Sequence, residues 1–516
     1  YLGVLTKVEL AFTHKARLRM ALHMFLIAFI GLCIFFNGRA GQYHSVSYKT
    51  ELTSCQGLDE FVRNFLSRRQ AAGRSDQPIY LIAADGGGQK AAYWTTRLLN
   101  ELEKDSTANF DFQHDVFAAA GASGGSVGLG LYTYMYADDA IRLETDPTKK
   151  QAEINARVQA MGEYNFLSAD FGGLMARWPL KFIPLDAMAD CKDRMDIIGR
   201  NYFGTMSDHH DPNEINMEQD PVFQRAYPYL WQKTDYALPL FITNTARVED
   251  GSKGIMHPLD PEDVKQIFGG VMDLTYKTEA GKQTAISFGD ALMTTNRFPI
   301  FSPMAKIDGR GHFVDAGAVD NSGKGTILQL LQYMHQRAND HDPLYQQLMA
   351  QKVVLVSVRC DKQRYYYETF KCYVDEMAQT DQEYYLPSYL SGAINTGLTG
   401  SPRAFEGLLD NQTHREAFGL DAKVINLSIP FYVESVEDVF GVLGSEVSDE
   451  SLIYLEIDSV RNETNKALWA QLGREVIYRK SDTLEAARPP LLEPPLARIL
   501  SHSSRDYMDA VARHKA

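Results

Sequence analysis

Apolar runs of strand length alternate with amphipathic stretches through much of the chain. Residues 79–84 (Ile-Tyr-Leu-Ile-Ala-Ala), 116–120 (Val-Phe-Ala-Ala-Ala), 353–358 (Val-Val-Leu-Val-Ser-Val) and 424–429 (Val-Ile-Asn-Leu-Ser-Ile) are short and almost continuously apolar. Such runs are expected as strands covered on both faces of a sheet. The first two lead through glycines into stretches with helical character, residues 91–103 and 126–135, and a further helix is predicted around residues 58–69. Strand, glycine turn and helix in succession predict an α/β fold whose sheet continues beyond residue 350. One apolar stretch is of a different kind. Residues 20–36 are 17 positions with one His and no formal charge, preceded by Lys15, Arg17 and Arg19, and they sit at the short end of a membrane-spanning helix. Gly38-Arg39-Ala40 also has the small-x-small form of a signal-peptide cleavage site, but the apolar stretch exceeds the usual signal length, so a retained span is expected.

The two glycine turns carry candidate chemistry. Gly121-Ala122-Ser123-Gly124-Gly125 has the G-x-S-x-G pattern between a strand and a helix. A nucleophile elbow needs that setting, because the turn holds its Ser in a strained conformation and only small neighbours fit beside it. The helix behind the turn adds free N–H groups and partial positive charge. A Gly-rich turn without chemistry also satisfies the pattern. Asp85-Gly86-Gly87-Gly88-Gln89-Lys90 narrows the choice, since three glycines between strand and helix leave backbone N–H groups unshielded, as an oxyanion hole or phosphate cradle requires. The loop contains neither G-x-x-x-x-G-K-[ST] nor a complete G-x-G-x-x-G, which disfavours a nucleotide.

A nucleophilic Ser needs a base. In His312-Phe313-Val314-Asp315-Ala316-Gly317 a short apolar strand delivers Asp315 to a glycine-containing turn. A carboxylate there accepts the serine proton if burial raises its pKa above about 3.9. Asp320 is the alternative in the same loop, expected instead to pack or cap the turn, and an Asx-type turn is the reading without chemistry. His312 is expected on the strand near the site mouth.

These segments together resemble the bacterial patatin-like phospholipase family, which has a D-G-G-G-x-[KR]-[GA] oxyanion motif, a G-x-S-x-G nucleophile and a D-G-[GA] segment with the catalytic Asp. Residues 85–91 and 121–125 match the first two motifs; the third departs at Ala316, where the family usually has Gly. Weaker similarities run through residues 164–168, 241–251, 296–303 and 494–496, so the resemblance covers about residues 76–516 in family order. It implies a three-layer α/β/α patatin-like fold with a mixed central sheet. It also implies hydrolysis of acyl-lipid esters, phospholipids among them, by a Ser123–Asp315 dyad. It further implies that Gly86, Gly87 and Gly88 form the oxyanion hole, that Gly121 and Gly125 flank the elbow, and that Gly124, Gly317 and Lys90 support the site, Lys90 by anchoring the loop or attracting an anionic head group. No cofactor or metal is implied. The domain reading is a membrane segment at 1–40, a linker and helix at 41–77, a catalytic core at 78–335, and a C-terminal part, 336–516, that continues the catalytic domain.

Two other readings stay open. A general serine esterase or protease would use a Ser-Asp-His triad, and His414 and His502 both follow Asp315 as that chain order requires. A membrane-bound pseudoenzyme would bind lipid without turnover, and the Ala316 departure is the feature that raises it. Composition bears on partners. With 66 acidic against 52 basic residues and a net charge of −14, the chain offers no basic stripe for nucleic acid and no global attraction to anionic lipid, so membrane access must be local. The basic flank before residue 20 points to a cytoplasmic N-terminal side, with the catalytic domain across the membrane. Apart from Cys33 in the apolar stretch, Cys55, Cys191, Cys360 and Cys372 fit either two disulfides or four thiols.

Overall fold

The four apolar runs meet side by side in one mixed sheet. The structure is a computed structural model. It describes residues 44–48, 50–51, 55–105, 108–164, 194–206, 221–279, 282–298, 302, 304–360 and 424–429, with Tyr365, Phe405, Leu409, Arg415, Arg505, Met508, Asp509 and 511–513. The strands are β1 (His44–Val46), β2 (Thr50–Glu51), β3 (Ile79–Ala84), β4 (Val116–Gly121), β5 (Leu240–Arg247), β6 (Lys253–Met256), β7 (Met272–Asp273), β8 (Tyr276–Glu279), β9 (Lys282–Ala285), β10 (Ala305–Ile307), β11 (Gly311–Val314), β12 (Val353–Arg359) and β13 (Val424–Ser428). The main sheet runs β1-β10-β11-β5-β4-β3-β12-β13, with β6 and β7 added beside β5; β2, β9 and β8 form a small separate sheet.

From β5 through β4, β3 and β12 to β13 every pairing is parallel, and β11 joins β5 antiparallel. Parallel pairing needs crossover connections, which here include helices. The helices used below are α1 (Leu58–Ala71), α2 (Gly88–Lys104), α3 (Ser123–Ala137), α4 (Pro147–Glu163), α5 (Phe288–Thr295), α6 (Lys324–Asn339) and α7 (Pro343–Met349). They pack in two groups: α2, α3, α4 and α5 together, and α1, α6 and α7 together. Both α3 and α6 lie on β4. Double coverage explains why β4 is buried at every position and reads as an unbroken apolar run.

Helix α3 is the interior one, with all its residues buried from Ser123 to Ala137. An all-round apolar sequence such as Val-Gly-Leu-Gly-Leu-Tyr suits a helix with no solvent face. It lies close to α2, where a methyl on Gly128 would come within 2.6 Å of the Ala92 carbonyl oxygen. On the other side of β4, Phe117 meets Phe61 and Phe65 of α1 edge-to-face, with ring centres 5.7 and 5.1 Å away. Two distant parts of the chain hold α2. Trp94 donates its indole N–H to the Leu427 carbonyl of β13 at 3.3 Å, and Asp509 near the C-terminus takes the Tyr93 hydroxyl at 2.5 Å and the Arg97 guanidinium at 3.2 Å.

Residues 20–36 and both alternative triad histidines, His414 and His502, lie outside the described residues. Among the described residues, no helix is long and apolar enough to cross a membrane.

Candidate active site

Strand register brings the candidate nucleophile and base to one level. Gly121, the last residue of β4, pairs with Thr243 of β5, and Val314, the last of β11, pairs with Ala246. Because β11 runs against β5, the residue after Val314 steps back toward Thr245. Asp315 therefore lies about two residues beyond the Gly121 level, roughly 7 Å along β5. Ser123 is also two residues beyond Gly121. Both emerge at the carboxyl ends of β3 and β4, where open α/β sheets place their sites.

The turn at Ser123 has the expected strain. Its φ is 49°, in the left-handed region, at the first residue of α3, and the side chain is 7% exposed. A non-glycine residue held there costs on the order of 1–3 kcal/mol. Asn244 of β5 steadies the turn by donating its amide to the Gly121 carbonyl at 2.9 Å and accepting the Thr326 hydroxyl at 2.6 Å.

The glycines after Ser123 are there for close approach. A methyl on Gly124 would overlap the Gly88 carbonyl, 2.7 Å from its carbon, and one on Gly125 would lie 2.7 Å from the Ala84 carbonyl oxygen. The nucleophile turn and the glycine triplet thus touch backbone to backbone. The Asp315 loop closes against both: Gly323, at φ 70°, brings its Cα onto the end of β4, where a methyl would stand 2.6 Å from the Ala120 oxygen.

That loop corrects one expectation for the triplet. The Gly86 N–H donates to the Asn321 carbonyl at 2.8 Å, so it is committed within the protein, while the Gly86 Cα faces the Ser123 Cβ. Gly87 and Gly88 open α2, where first-turn N–H groups have no intrahelical acceptor. Asp85, ahead of the triplet, accepts the Cys360 N–H at 3.1 Å and lies 3.7 Å from the Lys324 ammonium. Lys90 is buried on the first turn of α2, which suits an anchor better than a head-group lure.

Asp315 is 1% exposed, and its Oδ1 accepts the Gly317 N–H at 2.8 Å. Ala316 is tolerated because its φ is not positive, so the turn makes no demand that only glycine meets. Asp320 takes the other expected role. It accepts the Ser322 hydroxyl at 3.0 Å and pairs with Lys253 at 3.0 Å. Burial alone would push its carboxyl up, but Lys253 and Ser322 outweigh that and hold it below the usual carboxylate range. A depressed pKa stabilises the fold fully above the unfolded value of about 3.9, and the contribution disappears as pH falls through the folded value. Lys253→Met is therefore expected to cost about 3 kcal/mol near pH 7 and much less near pH 3, measured by urea unfolding at both. His312 lies on β11 and pairs through Nδ1 with Glu249 at 2.7 Å.

Residues 295–297 belong to the site although sequence reasoning assigned them no role. The Ser123 hydroxyl donates to Asn296 Oδ1 at 3.1 Å, the Ser123 N–H donates to Thr295 Oγ1 at 3.3 Å, and the Asp315 N–H donates to the Arg297 carbonyl at 2.9 Å. The available signal was an Asn-Arg pair at the end of a largely apolar helix, just upstream of Asp315. Among the described residues there is no cluster of His, Cys, Asp and Glu able to hold a metal ion.

Residues 82–323 match the family model described as patatin-like phospholipase. Both glycine motifs and Asp315 fall inside the matched range, while β12, β13 and the Asp509 contact lie beyond it. Structures similar to this chain include human GIVD cytosolic phospholipase A2 in complex with methyl gamma-linolenyl fluorophosphonate, at 15% identity and TM-score 0.24, over 39% of this chain and 28% of that one. Another structure of human GIVD cytosolic phospholipase A2 is 12% identical at TM-score 0.22, covering 70% and 41%. VipD from Legionella pneumophila is 9% identical at TM-score 0.23, covering 77% and 76%. The chain spans less than half the length of the two human chains. No curated protein matches it significantly.

Proposed function

We propose that the chain is a patatin-like lipid acyl hydrolase of phospholipase A or lysophospholipase type, built on a three-layer α/β/α core and working through a Ser123–Asp315 dyad. The observation that carries this reading is Ser123 in a left-handed turn at a helix N-terminus, with the glycine triplet and the Asp315 loop both packed against that turn. Ser123 Oγ bonds to the ester carbonyl carbon as its proton passes to Asp315. The displaced π electrons become an oxyanion received by the N–H groups of Gly87 and Gly88. Collapse breaks the bond to the alcohol, which leaves with the proton from Asp315. Water then attacks the acyl-enzyme, giving a proton to Asp315, and the fatty acid leaves as Ser123 regains that proton. Each oxyanion donor is worth about 10²–10³ in turnover.

The apolar segment at residues 20–36 completes the proposal as a membrane tether that holds an acidic catalytic domain beside lipid. Fatty-acid release from phosphatidylcholine and lysophosphatidylcholine vesicles tests the substrate class. Release by the wild type and none by Asp315→Asn is expected. A protein that cleaves soluble esters or peptides but neither lipid contradicts the lipid reading.

A further inference from the structure

Asn296 sits one residue past the end of α5, 1% exposed, with Oδ1 on the Ser123 hydroxyl at 3.1 Å. Its Nδ2 is buried and has no hydrogen-bond partner among the described residues. A buried amide that leaves a donor unused at a packed site forgoes favourable free energy, and such groups call for an explanation. The neighbours of Asn296 grip the same two residues of the site. Thr295 takes the Ser123 N–H, and the Arg297 carbonyl takes the Asp315 N–H. Three consecutive residues therefore fix the nucleophile by backbone and side chain and the base by backbone.

An amide oxygen is far too weakly basic to remove the serine proton, so Asn296 is not a second base. Its value lies in having both an acceptor and a donor on one planar group. Resting on the proposed Ser123–Asp315 reading, we propose that Asn296 is the positioning residue of the nucleophile. Its Oδ1 holds the hydroxyl in one rotamer in the resting enzyme. Once the proton has moved to Asp315 and Oγ can only accept, a half-turn of the amide presents Nδ2–H to that oxygen. No bond is made or broken at Asn296 in either state. The polar atom beside Oγ also makes position 296 a place where a carboxylate would meet the serine proton directly.

The test uses the full chain and ester hydrolysis with four variants: Asn296→Leu, Asp315→Asn, Asn296→Asp, and the Asp315→Asn/Asn296→Asp pair. Asn296→Leu is expected to lower kcat about tenfold or more with KM within about twofold and an unfolding midpoint near wild type. The pair is expected to recover at least about tenfold of the activity lost in Asp315→Asn, with an acid limb in its pH profile from the relocated carboxylate. A kcat for Asn296→Leu within about twofold of wild type would overturn the proposal, as would a double variant no more active than Asp315→Asn. If Asn296→Leu fails to fold, the double variant decides. If Asp315→Asn alone keeps full activity, the dyad reading fails, and the kcat and KM of Asn296→Leu still decide the role of Asn296.

Discussion

Ser123→Ala is expected to lower ester turnover by at least about 10⁴-fold while leaving the unfolding midpoint close to wild type. The hydroxyl is the only part of the side chain that the mechanism uses, and its hydrogen bond to Asn296 is a modest contributor to stability. A companion variant separates strain from chemistry. Ser123→Gly removes the same hydroxyl but also relieves the left-handed backbone at φ 49°. It is therefore expected to be inactive and about 1 kcal/mol more stable than Ser123→Ala by urea unfolding. Equal stability of the two would mean that the turn stores no strain.

The second large effect is at Gly124, whose added methyl would overlap the Gly88 carbonyl. The clash is backbone on backbone between the nucleophile turn and the glycine triplet, so no side-chain rotation relieves it. Gly124→Ala is expected to destabilise by about 1–3 kcal/mol and to reduce kcat by at least about 100-fold, because the methyl would also stand 2.9 Å from the Gly88 nitrogen and displace the N–H it carries. Measuring kcat beside the unfolding midpoint checks both parts. A variant with normal activity would show that the two loops need not touch for turnover. Gly125, closed in by the Ala84 carbonyl, is expected to behave similarly.

The strands and glycine turns were legible in the sequence because each rests on local pattern. An apolar run bounded by Gly-rich turns can be read without knowing its neighbours, and the runs at 79–84, 116–120, 353–358 and 424–429 became β3, β4, β12 and β13. Helix starts were less sharp. Both α2 and α3 begin at the site itself, at Gly88 and Ser123, because the glycines join the first turn instead of only preceding it. The short edge strand β1 owes its place in the sheet to β10, far along the chain, and leaves little local trace. Asn296 and Asn244 were illegible for the same reason. Each meets the nucleophile turn across more than 100 positions of sequence, so the segments 241–251 and 296–303 show a likeness without disclosing which side chain reaches the turn. The commitment of the Gly86 N–H to Asn321 is likewise a tertiary fact that three consecutive glycines do not disclose.

Labelling of the purified full-length protein with a fluorophosphonate probe, followed by mass spectrometric location of the adduct, tests the central claim most directly. The account predicts one adduct per chain on Ser123. The adduct should be lost in Ser123→Ala and Asp315→Asn and kept in a His414→Ala/His502→Ala double variant. Absence of labelling in the wild type, or its loss when the two histidines are removed, would contradict a Ser123–Asp315 dyad.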